Sequence, residues 1–168
     1  MISQLSVERP RLVALLKSLL GCDKNIFIQT ESGFGCSTFL AQYFKDDLLS
    51  TIWVRVDKND NYETFKKYFQ LSVMQKIKTM QSLKIFDCTL NKPVIVIEDL
   101  HKMDAESATR LIRDLCNLTQ GKFNLIFTSN FAPEDIKRII PASFSVIKSA
   151  DLLFAENEIK KFAEEQLD

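Results

Sequence analysis

Residues 30–38, Thr-Glu-Ser-Gly-Phe-Gly-Cys-Ser-Thr, combine small residues, two glycines and two adjacent hydroxyls between an apolar run and an apolar helical pattern. Laid on the phosphate-binding loop template G-x-x-x-x-G-K-[ST], Gly35, Ser37 and Thr38 fit, and Gly33 adds a second flexible point. Glycines let backbone N–H groups turn inward as an anion nest, and the N-terminus of the following helix adds partial positive charge. Two positions depart from the template. Thr30 stands where the first glycine belongs, and Cys36 stands where the lysine belongs. A neutral thiol cannot place a full positive charge on the outer phosphates, and Glu31 adds a negative charge to the loop if its side chain points inward. The loop therefore has the shape of a phosphate cradle without its main electrostatic tool. Lys24 and Arg138 are candidate substitute cations. Cys36 also admits a redox reading, because a helix N-terminus can lower a thiol pKa. The plainer reading, a cysteine filling a small slot, is preferred.

Two further stations complete the chemistry. Residues 94–99, Val-Ile-Val-Ile-Glu-Asp, are an apolar run ending in two acids, the pattern of a Walker B strand. Its first acid approaches magnesium and its second orients an attacking water. Glu98 and Asp99 are the candidates, with Ser37 and Glu98 as the magnesium-binding pair. Glu98 is one methylene longer than aspartate, which matters for an ion demanding octahedral geometry. Asn130, after Phe127-Thr128-Ser129, takes the position that can touch a γ-phosphate, but it is uncharged. His101 is the only histidine and has no neighbour at ligand spacing, so it reads as a loop residue and not as a metal ligand.

The elements that must carry these stations alternate. Strands are expected at 26–30, 51–56, 94–97, 124–128 and 143–147. Helices are expected from Pro10 with Leu12, Leu15, Leu16 and Leu19 on one face, and at 37–44. A long helix should carry Tyr62, Phe65, Phe69, Val73, Ile77 and Met80. Asp104 should cap a helix with Ala108, Leu111, Ile112 and Leu115 inward. A short helix is expected at 133–140, and a last one at 157–167 with Ile159, Phe162 and Ala163 inward. Residues 1–7 read as a lead-in. The alternation predicts an α/β, three-layer fold, a parallel sheet of about five strands flanked by helices, whose ligands bind beyond the strands' carboxyl ends. That rule gathers the loops at 31–36, 99–101 and 129–130 into one place.

The chain has 168 residues, is 46% hydrophobic and 26% charged, and carries no net charge. That composition fits a globular domain and gives no global basic field for nucleic acid. No charged segment followed by a long apolar core opens the chain, and no run approaches the roughly 20 residues that span a bilayer. Cys22, Cys36, Cys88 and Cys116 lack metal or C-x-x-C spacing, which predicts reduced thiols and a cytoplasmic location.

Six segments in order resemble the nucleotide-binding domain of the large ATP-dependent LuxR-type regulators, the maltose-regulon activator class of the STAND NTPases. VERPRLVALL is similar to the family's opening helix, and TESGFGCSTFLAQYF to its phosphate loop. Trp53, Asp57, Asp60 and Asn61 match its Trp-x-x-Leu-Asp-x-x-Asp-Asn segment; Glu98, Asp99 and His101 match its Asp-Asp-x-His. Thr128, Ser129 and Asn130 match Thr-Ser-Arg, and Asp151, Leu152 and Phe154 match the closing segment. The resemblance implies a P-loop NTPase-like domain at 1–150 and a terminal helix at 151–168 that begins a downstream helical domain. It implies ATP or ADP with Mg2+ at Gly33, Gly35, Cys36, Ser37 and Thr38, or a loop that has lost nucleotide binding, and partners among proteins or further domains of a larger regulator. DNA contact would pass through a separate domain, and no membrane is involved. Because the departures fall at Cys36, Glu98 and Asn130, the expected behaviour is conformational switching or protein contact with little or no hydrolysis. An alternative is an ATP/ADP switch with residual turnover, or a clamp-loader-like AAA+ relative using Lys66, Lys67, Lys76, Lys78 and Lys84 against DNA.

Overall fold

The computed structural model describes residues 9–47, 50–82, 92–119 and 121–167. The lead-in at 1–7, Lys84, Cys88 and the side chains of Met80 and Phe162 lie outside the described residues.

Apolar runs without alternation make strands buried on both faces. β1 (Ile26–Gln29), β3 (Val94–Glu98) and β4 (Asn124–Ser129) are such runs, and β2 (Thr51–Arg55) and β5 (Ser145–Ile147) flank them. All pair in parallel, in the order β2-β3-β4-β1-β5. The expected α/β fold with five parallel strands is the one observed.

The helices α1 (Pro10–Gly21) and α2 (Cys36–Tyr43) cover one face, where Leu12, Leu16, Phe39 and Leu40 meet Ile26, Ile28, Val96 and Ile126. The helices α3 (Tyr62–Ser82), α4 (Ala105–Thr119) and α5 (Pro133–Ile139) cover the other. There Phe65 stacks on Phe69 at 5.6 Å, and Phe27 and Phe127 are fully enclosed. Asp104 accepts the Ser107 N–H at 2.9 Å and so starts α4 as expected.

Neighbouring strands β1 and β4 send their chains to opposite faces, β1 into α2 and β4 into α5. Their exits part and leave a crevice beyond the carboxyl ends, where ligands of open parallel sheets bind.

The last helix, α6 (Glu156–Leu167), corrects one expectation. Ile159 is 54% exposed and Ala163 also faces out, while Glu158 is buried. The cause is local. Glu158 is the third helical residue and its carboxylate reaches back to accept the Ala155 N–H at 2.8 Å, half of a capping box. With Glu158 turned in, the next residue, Ile159, turns out.

Candidate functional site

The crevice is a cleft of about 580 Å³. One wall is the loop after β1 and the first turn of α2, with Gly33, Gly35, Cys36, Ser37 and Thr38. The other is formed by Asp99, His101 and Lys102 after β3 and by Asn130 after β4. The three loops gathered from the sequence thus meet in space. Glu31 lines the mouth and is exposed.

The loop adopts a cradle. Gly33 has φ +95° and Gly35 +70°, the left-handed region where glycine is at no disadvantage. Gly35 is the N-cap of α2 and no side chain caps that end, so the first N–H groups of the helix depend on a partner from outside it. Thr30, where the template has glycine, needs no positive φ. Its N–H donates to Ser129 O at 2.9 Å, and it simply prolongs the pairing of β1 with β4.

Cys36 is buried and its thiol pKa is pushed up to about 12. Loss of hydration is the main cause; Glu98 adds to it and Arg9 opposes it. Burial therefore outweighs the helix terminus. The thiolate needed for the redox reading is suppressed, and the position is a neutral filler.

Glu98 is not a cleft wall. It is 1% exposed, on the α2 side of the sheet, and its Oε2 accepts from Trp53 Nε1 at 3.0 Å and from Arg55 Nη2 and Nε at 2.7 and 3.2 Å. These partners sit on β2 in parallel register, Arg55 directly beside Glu98. Glu98 Oε1 is buried with no hydrogen-bond partner. An unsatisfied carboxylate oxygen near position 36 is what remains when a thiol replaces the template's ammonium. Arg55 in turn has its pKa raised by this hydrogen bond.

Asp99 adopts φ +60°, a left-handed conformation that costs of order 1 kcal/mol outside glycine. The bend starts a short 3-10 turn, Leu100–Lys102, and turns three side chains toward the cleft. Asp99 Oδ2 accepts from Lys102 Nζ at 2.8 Å and lies 3.6 Å from Arg55 Nε. With both partners partly exposed, the Lys102 pair is worth about 1 kcal/mol at most. His101 Nδ1 accepts the Asn130 N–H at 3.4 Å, joining the ends of β3 and β4. Burial lowers the imidazole pKa, which keeps that nitrogen an acceptor.

Arg9 ties the loop to the far end of the chain. Its Nη1 donates to Phe34 O at 3.4 Å and to Leu152 O at 3.0 Å, and its guanidinium lies 3.9 Å above the Phe154 ring. A Cβ at Gly35 would stand 2.9 Å from Arg9 Nη2.

No family model matches the sequence, and no curated protein sequence does either. Solved structures do match. Cdc6p from Pyrobaculum aerophilum superposes with a TM-score of 0.58 at 13% identity, covering 99% of this chain and 51% of that one. A chain of Drosophila ORC bound to DNA gives 0.56 at 13% identity, over 93% of this chain and 32% of that one. Drosophila ORC bound to poly(dA/dT) DNA and Cdc6 gives 0.57 at 10% identity, over 93% and 30%. The fold is P-loop NTPase-like. At these identities the likeness is one of fold, and the chain spans about half of the Cdc6p chain and about a third of the ORC chains.

Among the residues singled out from the sequence, the glycines, Cys36, Ser37, Thr38, Asp99 and Asn130 share the cleft, and Glu98 lies beneath it. Neither Lys24 nor Arg138 is a wall of the cleft; Arg138 borders a separate groove between α4 and α5. Among the described residues Lys102 is the cation that lines the cleft, and its place three residues beyond Asp99 was the available signal. The cradle fits an oxyanion such as a nucleotide phosphate. Glu98 Oε2 is held by Arg55 and Trp53 while Oε1 has no partner, and Asp99 is paired with Lys102. Among the described residues no group of three or more His, Cys, Asp or Glu is placed to hold a metal, and no helix is long and apolar enough to cross a membrane.

Proposed function

We propose that this domain binds the phosphates of a nucleotide, ATP or ADP, in the cleft and acts as a switch or docking module with little or no hydrolysis. The observation that carries the reading is the pairing at the end of β3. The carboxylates of Glu98 and Asp99 are each matched to a cation of the chain itself, while the lysine position holds a neutral, buried thiol. The cradle of Gly33, Gly35, Ser37 and Thr38 keeps its anion-binding backbone. Asn130 offers hydrogen bonds but no charge to a transition state, a loss that can cost about 10³-fold or more.

A switch needs a route out of the site. Arg9 bridges the phosphate loop to Leu152 and Phe154, so a shift of the loop reaches the segment leading into α6. Leu153, Phe154 and Ile159 are exposed there, a surface suited to a neighbouring domain. With the six-segment resemblance, this supports a signal-responsive transcriptional regulator of the LuxR type, working in the cytoplasm. Residues 151–168 would open its next helical domain, and DNA would be met through a separate one.

Calorimetry with ATP and ADP tests the binding. Micromolar to millimolar affinity is expected, and absence of heat at millimolar nucleotide overturns the proposal. The fold likeness to Drosophila ORC bound to DNA favours a second reading, an AAA+ relative that touches DNA itself through lysines of α3 such as Lys67 and Lys78. Duplex binding that weakens steeply with salt supports it, and no gel shift at low salt removes it.

A further inference from the structure

The chain has six arginines, and four of them are engaged within the molecule. Arg9 holds Phe34 O and Leu152 O, and Arg11 donates to Asp151 O and Leu153 O at 2.8 and 2.9 Å. Arg55 pairs with Glu98, and Arg110 pairs with Glu63 at 3.0 Å while lying over the Tyr62 ring. Arg113 and Arg138 remain. Both are exposed, and among the described residues neither has an ion pair or a hydrogen-bond partner. The acids nearest in sequence do not answer them. Asp114 accepts from the Tyr62 hydroxyl, and Glu134 and Asp135, one turn before Arg138, make no ion pair with it.

These two guanidiniums meet in one place. The groove between α4 and α5, about 330 Å³, has Arg113 on its α4 wall and Arg138 at the end of α5. It shares no wall residue with the cleft. Its floor is apolar: Ile112 and Ile139 are buried, and Cys116 and Ile140 are half-buried. Like charges flanking an apolar trough repel each other until an anion lies between them. Each guanidinium presents a planar fork that matches a carboxylate. The floor calls for an aliphatic side chain, and arginine beside an apolar centre is the composition of protein–protein contacts. A nucleic acid strand is the poorer match. No aromatic side chain lines the groove to stack a base, no lysine extends the charge along a backbone, and the chain has no net charge.

We propose that this groove docks a short segment of a partner protein in which carboxylates flank an aliphatic side chain. The aliphatic group covers Ile140 and the floor, and the carboxylates bridge Arg113 and Arg138. Charge complementarity with an apolar centre carries the inference, which is independent of any ligand in the cleft.

The test starts from a phage-displayed library of random short peptides panned on the full chain, and the enriched peptide is synthesised. The expected sequences place Asp or Glu next to Leu, Ile or Val. In fluorescence polarisation the double variant Arg113→Met/Arg138→Met should bind that peptide about tenfold or more weakly, the loss of charge-assisted contacts. Bound peptide should also slow maleimide labelling of Cys116 in the groove several-fold and leave the exposed Cys22 unchanged. That footprint uses the wild-type chain and needs no variant to fold; thermal melts check the double variant. No enrichment, enriched peptides without acids, an unchanged affinity in the double variant or an unprotected Cys116 overturns the proposal. Two further outcomes overturn it by naming another occupant. An oligothymidine that binds the wild type and not the double variant makes the groove a nucleic-acid site. A wild-type dimer in light scattering that the double variant loses makes the occupant a second copy of the chain.

Discussion

Replacing Arg55 with methionine (Arg55→Met) removes the cation from Glu98 while keeping an apolar stem of similar reach over the sheet. Arg55 supplies two hydrogen bonds to Glu98 Oε2, at 2.7 and 3.2 Å. After the change only the Trp53 N–H at 3.0 Å remains, and Oε1 already has no partner. Hydrogen bonds to a charged group are worth roughly 1.5–3 kcal/mol each. The Arg55 side chain is 59% exposed, so water returns part of that loss, whereas Glu98 at 1% recovers little. The net cost is about 2–3 kcal/mol, below the full penalty of an enclosed pair. For a domain of this size that lowers Tm by about 5–10 °C. Urea and thermal unfolding read the stability. Trp53, the single tryptophan, reports the site directly, because its indole N–H binds the same carboxylate oxygen. The double variant Arg55→Met/Glu98→Gln should recover at least half of the loss, since no unpaired charge is left. A single variant within about 0.5 kcal/mol of wild type, or a double variant no better than the single, refutes the claim that Arg55 balances Glu98.

Gly35→Ala should destabilise by about 1–3 kcal/mol, since a β-carbon at φ +70° is strained and meets Arg9 at 2.9 Å, and should weaken ADP binding in calorimetry. Gly21→Ala, with open space around it, is the control. Cys36 should be alkylated about 100-fold or more slowly than the exposed Cys22 at pH 8, as peptide mapping after timed iodoacetamide treatment would show; equal rates would restore the redox reading. For His101, burial holds the folded pKa below the unfolded value of 6.5, so the unfolded state binds more protons in the window between them. Its stability contribution is present above 6.5 and lost as pH falls through the folded value. Denaturant midpoints between pH 7.5 and 5 should therefore fall more steeply in wild type than in His101→Gln.

The alternation of strands and helices was legible because the strand runs are long, apolar and β-branched, and because Pro10 and Asp104 mark helix starts by known chemistry. The meeting of three loops followed from parallel topology alone. What stayed hidden was pairing across the sheet. Arg55 reads as a polar end of an alternating strand until the register sets it beside Glu98. Lys102 reads as one lysine among many until the left-handed turn at Asp99 brings it to the cleft. Ile159 looked inward because periodicity ignores the bond by which Glu158 caps its own helix. Periodicity sees faces; it does not see which charges find each other.

The direct measurement is the fate of ATP bound to this protein. The chain is incubated with an excess of γ-labelled ATP and Mg2+ and assayed for released phosphate over an hour. The expected result is nucleotide recovered intact, with no more phosphate than in buffer alone. Repeated turnover, approaching the roughly 1 s⁻¹ at the lower end of ordinary enzymes, would contradict a cradle whose catalytic charges are neutralised from within.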